Sequence, residues 1–278
     1  MSQAKHLLQP MYLSGGAIAV GHRLSAKVMP EVKAQGVTHI VTLLSEKEGA
    51  SDIQREAQAV GLNWIHVSMA NAQPPYEDEI PRYRRLFSQL QDLIEQGNYL
   101  YIHCSAGIHR TGMITNALFR YMGFNAAESF SNLETLRQLS SQEAGLERLR
   151  WGNHFSAFRA ERLTCGKVPL SDFLHLDLIG CTAYAHSIGE GYQYRGTISR
   201  IYPDGAIRLV NVETTSNEEC DIDFTDPYRI QGDWQPYEDF SYGSEKVSVE
   251  LTEHGFIIDY WYVGSVYIHC PLHILQQQ

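Results

Sequence analysis

The chain has 278 residues, of which 44% are hydrophobic and 19% are charged. This composition is typical of a globular protein and excludes a disordered chain, a collagen or a coiled coil, and the length fits one large domain or two modest ones. The formal charge of −10 argues against a general binder of nucleic acid or of anionic membranes.

The acidic excess is confined to the C-terminal part of the chain. Residues 1–163 carry 16 basic and 15 acidic side chains, whereas residues 164–278 carry 6 and 17. The sequence therefore predicts a nearly neutral segment followed by an acidic one.

In the first 163 residues, short β-rich runs alternate with helical patterns. The predicted strands are residues 37–44, 63–69 and 99–103. The predicted helices are residues 23–35, 51–60, 79–96, 112–122, 126–139 and 143–163. This alternation predicts an α/β fold with a mostly parallel sheet flanked by helices.

After Gly166 the pattern changes to short alternating runs that end at glycine and proline turns. Ten of the 16 tyrosines lie beyond residue 163. The sequence predicts a small all-β C-terminal domain, whose hairpin spacing is loosely similar to that of SH3-like or Tudor-like barrels. The expected domains are therefore residues 1–163 and 168–278.

The cysteines and the apolar stretches bear on the compartment. The five cysteines are scattered and form no Cys-x-x-Cys pair, which argues against a disulfide framework and favours a reducing compartment. Pro10 interrupts the N-terminal apolar residues, so they do not resemble a signal peptide. The longest apolar stretch, residues 256–268, is too short to cross a bilayer. We therefore expect a cytoplasmic protein without a membrane segment.

Residues 103–112 read HCSAGIHRTG and connect a predicted strand to a predicted helix. Backbone N–H groups in such a loop can turn inward around an anion, and the helix adds the positive end of its dipole. Gly107 permits the tight turn, and Arg110 supplies a planar fork that fits two phosphate oxygens. The same dipoles lower the pKa of Cys104, whose thiolate would be the nucleophile. The predicted phosphate-binding residues are Ser105, Ala106, Gly107, Ile108, His109 and Arg110.

This loop predicts phosphoryl transfer to sulfur and then hydrolysis of the thiophosphate, with no metal or other cofactor. Together with the upstream segments VTHIVTLLSE and GLNWIHVSM and the helix before YLYIHC, it resembles the cysteine-dependent tyrosine and dual-specificity protein phosphatases. The resemblance covers about residues 10–160 and implies a phosphatase acting on phosphotyrosine, phosphoserine or phosphothreonine. It assigns Cys104 as nucleophile, Arg110 as phosphate clamp and His103 as a support for the thiolate, and it implies that the Thr111 hydroxyl helps sulfur to leave.

The resemblance also implies a general acid, which the family supplies as an aspartate in a loop before the long helix. Matching the Pro74-Pro75 loop to that pattern places Asn71 in the aspartate position, and an amide cannot donate a catalytic proton. Asp78 is the candidate acid if the loop folds over the cradle. Its alternative role is that of a helix N-cap or first-turn acid ahead of Pro81, and this alternative is favoured.

Two other histidine patterns have alternative explanations. His109 could add a titratable donor at the rim of the pocket or point to solvent. The run His269-Cys270-Pro271-Leu272-His273 contains three metal-ligating residue types, but core packing explains it better because no distant fourth ligand is evident.

Three functions remain open from the sequence. The first is a phosphatase acting on a phosphorylated protein or small phosphomonoester. The second is a low-activity phosphatase fold that binds phosphorylated ligands, and the third is a phosphatase for RNA ends, nucleotides or sugars. The acidic β domain suits a basic partner, whereas binding to nucleic acid or membrane is not expected.

Overall fold

The computed structural model describes residues 8–158, 162–187, 193–214, 247–260 and 264–270. The chain divides into two compact units. Unit 1 comprises Met1–Phe124 and Ser129–Ala157, and unit 2 comprises Asn125–Glu128 and Phe158–Gln278. Within the described residues, every helix is too short or too polar to cross a membrane.

Up to residue 157, the structure is a five-stranded sheet with helices on both sides. Its strands are β1 (Met11–Tyr12), β2 (Ala17–Gly21), β3 (His39–Thr42), β4 (Asn63–His66) and β5 (Tyr99–His103). Its helices are α1 (Met29–Ala34), α2 (Ala50–Ala59), α3 (Ile80–Glu95), α4 (His109–Tyr121), α5 (Ala126–Leu136), α6 (Gln138–Glu143) and α7 (Leu146–Arg150). Short 3-10 turns lie at Glu46–Glu48, Glu77–Glu79 and Trp151–Phe155.

The sheet order is β1-β2-β5-β3-β4, and only the β1–β2 pair is antiparallel among these strands. The predicted α/β fold with a mostly parallel sheet is therefore confirmed. Strand β5 lies at the centre of the sheet, so the loop that follows it emerges between β2 and β3. Active sites of open α/β sheets form at such strand ends.

Alternate residues of β5 pack into two different cores. Leu100 and Ile102 belong to the core that contains the buried faces of α3 and α4, whereas Tyr99 and Tyr101 belong to the core built with α1 and α2. Successive side chains of a strand point to opposite faces of a sheet. Helices therefore cover both faces, which explains why β5 is buried along its whole length.

Three sequence predictions differ from the structure. The predicted helix at 23–35 shortens to α1, which begins at Met29 with Pro30 in its first turn. The predicted helix at 143–163 is wrong as a single element: Gly145, with a φ of +88°, precedes α7, and α7 already ends at Arg150, where the 3-10 turn Trp151–Phe155 follows. Strand β2 was not predicted, because the segment AIAVG is buried at every position and shows no alternation.

Unit 2 contains an antiparallel sheet of the order β6-β10-β11-β12-β7-β8-β9. Its elements are β6 (Gly166–Val168), α8 (Leu170–Phe173), β7 (Thr182–Ser187), β8 (Gln193–Ile201), β9 (Ile207–Thr214), β10 (Val247–Thr252), β11 (Gly255–Tyr260) and β12 (Gly264–His269). Every pairing among these described strands is antiparallel. The predicted β-rich C-terminal region is confirmed, and its SH3-like character stays a prediction.

Candidate active site

The loop after β5 is anchored through its carbonyl groups. Arg23 donates its backbone N–H to the Ser105 carbonyl at 3.0 Å. The Arg137 guanidinium donates to the carbonyls of Ala106 (2.9 Å) and Gly107 (2.6 Å), and the Ser140 hydroxyl donates to the Gly107 carbonyl at 2.7 Å.

These anchors determine where the loop's N–H groups point. In a planar trans peptide, the C=O and the next N–H point in opposite directions. Because the carbonyls of residues 105–107 are bound by surrounding residues, the N–H groups of residues 106–108 are turned to the opposite side. The N–H of Gly107 accordingly donates to Cys104 Sγ at 3.2 Å. The predicted anion cradle thus has a structural cause in Arg23, Arg137 and Ser140.

Gly107 is required at its position for two reasons. Its φ is +71°, in the left-handed region that favours glycine. A Cβ atom there would also lie 2.2 Å from the carbonyl carbon and oxygen of Gly21. The loop can therefore pass β2 closely only because residue 107 has no side chain.

Cys104 lies at the bottom of the cradle and is 4% exposed. Burial raises the pKa of its thiol, but hydrogen bonding to Thr111 and to the N–H groups of Gly107 and Ile108 outweighs burial, so the pKa lies below its usual value. Thr111 is itself fully buried beside this thiol, and within the described residues its hydroxyl has no partner that meets hydrogen-bond geometry.

His103 is fully buried and linked to two neighbours. Its Nδ1 lies 3.2 Å from the Cys104 carbonyl, and its Nε2 lies 2.9 Å from the Thr42 hydroxyl, to which Trp64 Nε1 donates at 2.9 Å. A carbonyl can only accept, so Nδ1 carries the proton and Nε2 accepts from Thr42. Burial lowers the pKa of His103 to about 4, so the imidazole is neutral near pH 7. It supports the Cys104 backbone rather than the thiolate charge.

Arg110 is held by a carboxylate that the sequence analysis did not single out. Its Nη1 and Nη2 donate to Glu48 Oε2 and Oε1, both at 2.7 Å, and Nη1 also donates to the Met69 carbonyl at 2.9 Å. These contacts use both protons of Nη1 and one proton of Nη2. The Nε–Nη2 edge of the guanidinium is not used by Glu48 or Met69, and Arg110 also interacts with the Cys104 side chain. A phosphate needs a pair of donors such as this edge presents.

Glu48 is fixed in turn by its own short turn. It is the last residue of the 3-10 turn Glu46–Glu48, and its Oε2 accepts from the N–H (3.0 Å) and hydroxyl (2.9 Å) of Ser45. The Arg110 guanidinium, more than any other neighbour, lowers the pKa of Glu48 to about 2. A Ser-x-x-Glu capping box directly after a predicted strand was the sequence signal for this turn.

Comparison with known proteins bears on this cradle. A family model described as "Polymorphic toxin system, DSP-PTPase phosphatase" matches residues 21–123, the part of unit 1 that holds the loop. Over residues 21–123 the chain is therefore similar to the dual-specificity-like members of the cysteine-dependent protein tyrosine phosphatase superfamily. The resemblance seen in the sequence is confirmed over these residues.

Several solved structures have some likeness to the chain, and three are described here. The active form of Tk-PTP is 16% identical over 56% of this chain and 98% of its own, with a TM-score of 0.44. PTPMT1 in complex with PI(5)P is 14% identical over 53% and 94%, with a TM-score of 0.41. TpbA from P. aeruginosa is 13% identical over 55% and 86%, with a TM-score of 0.38. No curated protein is significantly similar to the chain.

The loop around Asn71, where the resemblance places the general acid, is held by contacts of its own. The Asn71 side-chain oxygen accepts from the Gln73 N–H at 2.9 Å, and Asn71 is exposed. Arg148 of α7 donates to the Ala72 carbonyl and so ties this loop to the helix. Asn71 therefore shapes the turn, and its amide has no acidic proton to give.

Asp78 lies in the 3-10 turn Glu77–Glu79, immediately before α3, and is exposed. The N-cap position of α3 belongs to Glu79 rather than to Asp78, and no side chain caps that end. Asp78 is thus a first-turn acid of the preceding 3-10 turn. Its use as the catalytic acid stays a prediction.

A cavity of about 680 Å³ lies beside this loop. Its lining includes Asn71, Met69 and two carboxylates, those of Glu79 and Glu147, but not Asp78. Met69 lines the cavity, and its backbone carbonyl accepts a hydrogen bond from Arg110, so the cavity lies next to Arg110. Glu79 accepts from Arg82 at 3.2 Å.

The remaining predicted site residues lie at the rim. Ser105, Ala106 and His109 are exposed, and Ile108 is half-buried. His109 is the first residue of α4. The loop therefore presents its N–H groups inward and three of its side chains outward.

Proposed function

We propose that this phosphatase domain hydrolyses phosphate monoesters in two steps through a cysteinyl-phosphate on Cys104. In the first step, the thiolate attacks phosphorus, and the P–O bond to the leaving alcohol breaks. In the second step, water attacks phosphorus, the S–P bond breaks, and the sulfur leaves as a thiolate assisted by the Thr111 hydroxyl. The observation that carries the proposal is the buried Cys104 sulfur, whose pKa is lowered by donors that face it from one loop.

The proposal assigns the stabilisation of phosphate charge to the protein alone. Arg110 offers its Nε–Nη2 edge to two oxygens, and the N–H groups of residues 106–108 offer donors to the others. Preorganised donors of this kind stabilise the charge that develops in a phosphoryl-transfer transition state. No step is therefore routed through a metal ion. The dual-specificity description of the matching family supports phosphotyrosine, phosphoserine or phosphothreonine as the substrate group.

A second candidate function is the binding of phosphorylated ligands with slow turnover. Asn71 favours it, because the side chain at the expected acid position is bound to its own loop and cannot protonate a leaving group. Loss of a general acid typically lowers a rate about 10²–10⁴-fold. The presence of Asn71 in place of an acid does not alter the loop of residues 104–110, so binding of a phosphorylated ligand would be retained.

Hydrolysis of p-nitrophenyl phosphate by the full chain tests the first function. Cys104→Ser should abolish turnover, and Cys165→Ser, which alters an exposed free cysteine, should leave it unchanged. After rapid acid quenching, phosphate should be found on the peptide that contains Cys104. Turnover that survives in Cys104→Ser would refute the cysteinyl-phosphate mechanism.

The dependence of the rate on the leaving group separates the two functions. Without a general acid, the rate falls steeply as the pKa of the leaving alcohol rises, and Asn71→Asp should then restore poor substrates by about 10²-fold. If Asp78 is the acid, Asp78→Asn should steepen the dependence, whereas Glu77→Gln in the same turn should not. A wild type that binds a phosphopeptide but turns over no aryl phosphate would support the binding function.

For the C-terminal domain, we propose an independent module, residues 168–278, that suits a basic partner. Its surplus of acidic residues supports this role, and an SH3-like barrel is its proposed fold. The division of the chain at Ala157 supports independent folding of the first part. A fragment ending at residue 163 should fold and hydrolyse p-nitrophenyl phosphate, and a molten fragment would contradict the domain boundary. None of the described cysteines is in a disulfide bond, which supports the proposed reducing, cytoplasmic compartment.

A further inference from the structure

Two cysteines of unit 2 lie on neighbouring strands. Cys181 directly precedes β7, and Cys270 directly follows β12. These strands are antiparallel, and Thr182 pairs with His269. The register, continued by one residue, places Cys181 opposite Cys270.

The contacts of the two thiols agree with this register. Cys181 and Cys270 interact through a hydrogen bond between their side chains, which raises the pKa of the Cys270 thiol, and burial raises it further. Neither sulfur is in a disulfide bond in the structure. Opposite residues of antiparallel strands have Cα atoms about 4.5–5.5 Å apart, within the 4.4–6.8 Å range that a disulfide spans. A bond between them therefore needs side-chain rotation rather than movement of the strands.

The two thiols differ in their access to solvent. Cys270 is 3% exposed and belongs to the core of unit 2, together with Phe256 and Ile268. Cys181 is half-buried and packs against that core. A solvent oxidant therefore reaches Cys181 first, and the buried Cys270 is placed to react with the oxidised sulfur.

We propose that Cys181 and Cys270 are a redox site that closes a reversible cross-strand disulfide on reaction with a peroxide. The Cys181 thiolate attacks a peroxide oxygen, the O–O bond breaks, and a sulfenic acid forms with loss of hydroxide. The Cys270 sulfur then attacks the sulfenic sulfur, its proton leaves with the departing hydroxide as water, and the S–S bond forms. In total, two thiols and one hydrogen peroxide give one disulfide and two waters.

This site is distinct from the phosphatase nucleophile. Cys104 is the only cysteine in residues 1–157, so the cradle thiol has no resolving partner in its own unit. The Cys181–Cys270 bond closes a loop that contains most of the strands of unit 2. Closing a loop of about 90 residues restricts the unfolded chain, so oxidation should stabilise unit 2.

The test uses the full chain with Cys104, Cys165 and Cys220 changed to serine, so that only the proposed pair remains. After treatment of the folded protein with hydrogen peroxide, the intact mass should fall by two hydrogen atoms, and both cysteines should resist alkylation until a reductant is added. Unfolding of the oxidised form should occur roughly 5–10 °C higher than that of the reduced form.

Matched variants separate the pair from ordinary cysteine oxidation. When Cys270→Ser is added, peroxide should increase the intact mass by oxygen on Cys181, and the loss of two hydrogen atoms should not be seen. When Cys181→Ser is added instead, the buried Cys270 should react slowly with peroxide. Full alkylation of both thiols after peroxide, or a disulfide that forms only between two molecules, would overturn the proposal. A lower unfolding temperature for the oxidised form would also overturn it, because the register would then not suit the bond.

Discussion

Replacement of Glu48 by glutamine tests what orients Arg110, the proposed phosphate-binding residue. The Glu48 carboxylate receives two donors from Arg110 at 2.7 Å and does not use the Nε–Nη2 edge of the guanidinium. Glutamine keeps the shape of the side chain but removes the charge, and its amide nitrogen cannot accept. We expect Glu48→Gln to loosen Arg110 and to weaken its grip on phosphate oxygens.

The size of the effect follows from the pKa of Glu48. Arg110 is the main cause of its fall from 4.5 to about 2, which corresponds to about 3 kcal/mol at most. The Glu48 side chain is 32% exposed, so solvent screening reduces this to about 1–2 kcal/mol. The kcat/KM of Glu48→Gln should therefore fall about 5–30-fold, less than the 10²–10³-fold typical for removal of a transition-state donor.

Steady-state hydrolysis of p-nitrophenyl phosphate, with inhibition by inorganic phosphate, measures this effect. Glu46→Gln is the matched control, because Glu46 lies in the same turn but contacts Ser51 and His66 instead of Arg110. Phosphate should inhibit Glu48→Gln more weakly, by about the factor lost in kcat/KM, and Glu46→Gln should resemble wild type. An unchanged or increased kcat/KM for Glu48→Gln would refute the reasoning, since the carboxylate would then merely compete with phosphate for Arg110.

Two further predictions concern the shape and the pH response of the same site. Gly107→Ala should abolish activity and lower the unfolding temperature more than Gly123→Ala does, because both glycines have positive φ but only Gly107 would meet backbone atoms; equal effects in thermal denaturation would contradict this. Burial lowers the pKa of His103 to about 4 in the folded protein, whereas it is about 6.5 in the unfolded chain. As the pH falls from 6.5 to 4, the unfolded chain therefore binds a proton before the folded protein does. The free energy of unfolding should fall by up to about 3 kcal/mol over this range. Denaturant unfolding at pH 7 and pH 4.5 measures it, and His103→Asn should flatten the dependence, leaving the smaller part expected from buried His39; an unflattened slope would exclude His103 as its source.

The cradle was largely predictable because its parts are contiguous in the sequence. The segment from Cys104 to Arg110 runs from the end of a strand into the first turn of a helix, so local patterns were enough to identify it. Its supports were not predictable in the same way. Glu48 lies 62 residues from Arg110 and Arg137 lies 31 residues from Ala106, and only the folded chain brings them together.

The fold divided along similar lines. Helix α3 was predicted closely because its buried residues repeat at helical spacing, from Tyr83 through Phe87 and Leu90 to Ile94. Strand β2 was missed because its five residues are buried on both faces, and a short apolar run has no period that distinguishes a strand from a helix. Hydrophobic periodicity therefore identifies a helix or strand, and the face it buries, only where its other face is exposed to water.

The end of β3 and the turn that follows it position two residues of the cradle, His103 and Arg110. Thr42, the last residue of β3, orients His103, and the adjacent Leu43 N–H donates to the His103 carbonyl at 2.9 Å. A few residues later, Glu48 neutralises Arg110. The donors that Glu48 does not use are the loop N–H groups and the Nε–Nη2 edge of Arg110, and we propose that these bind the phosphate in a nearly neutral domain. Substitutions between residues 42 and 48 should therefore alter phosphate binding, although the substituted side chains do not contact the phosphate themselves.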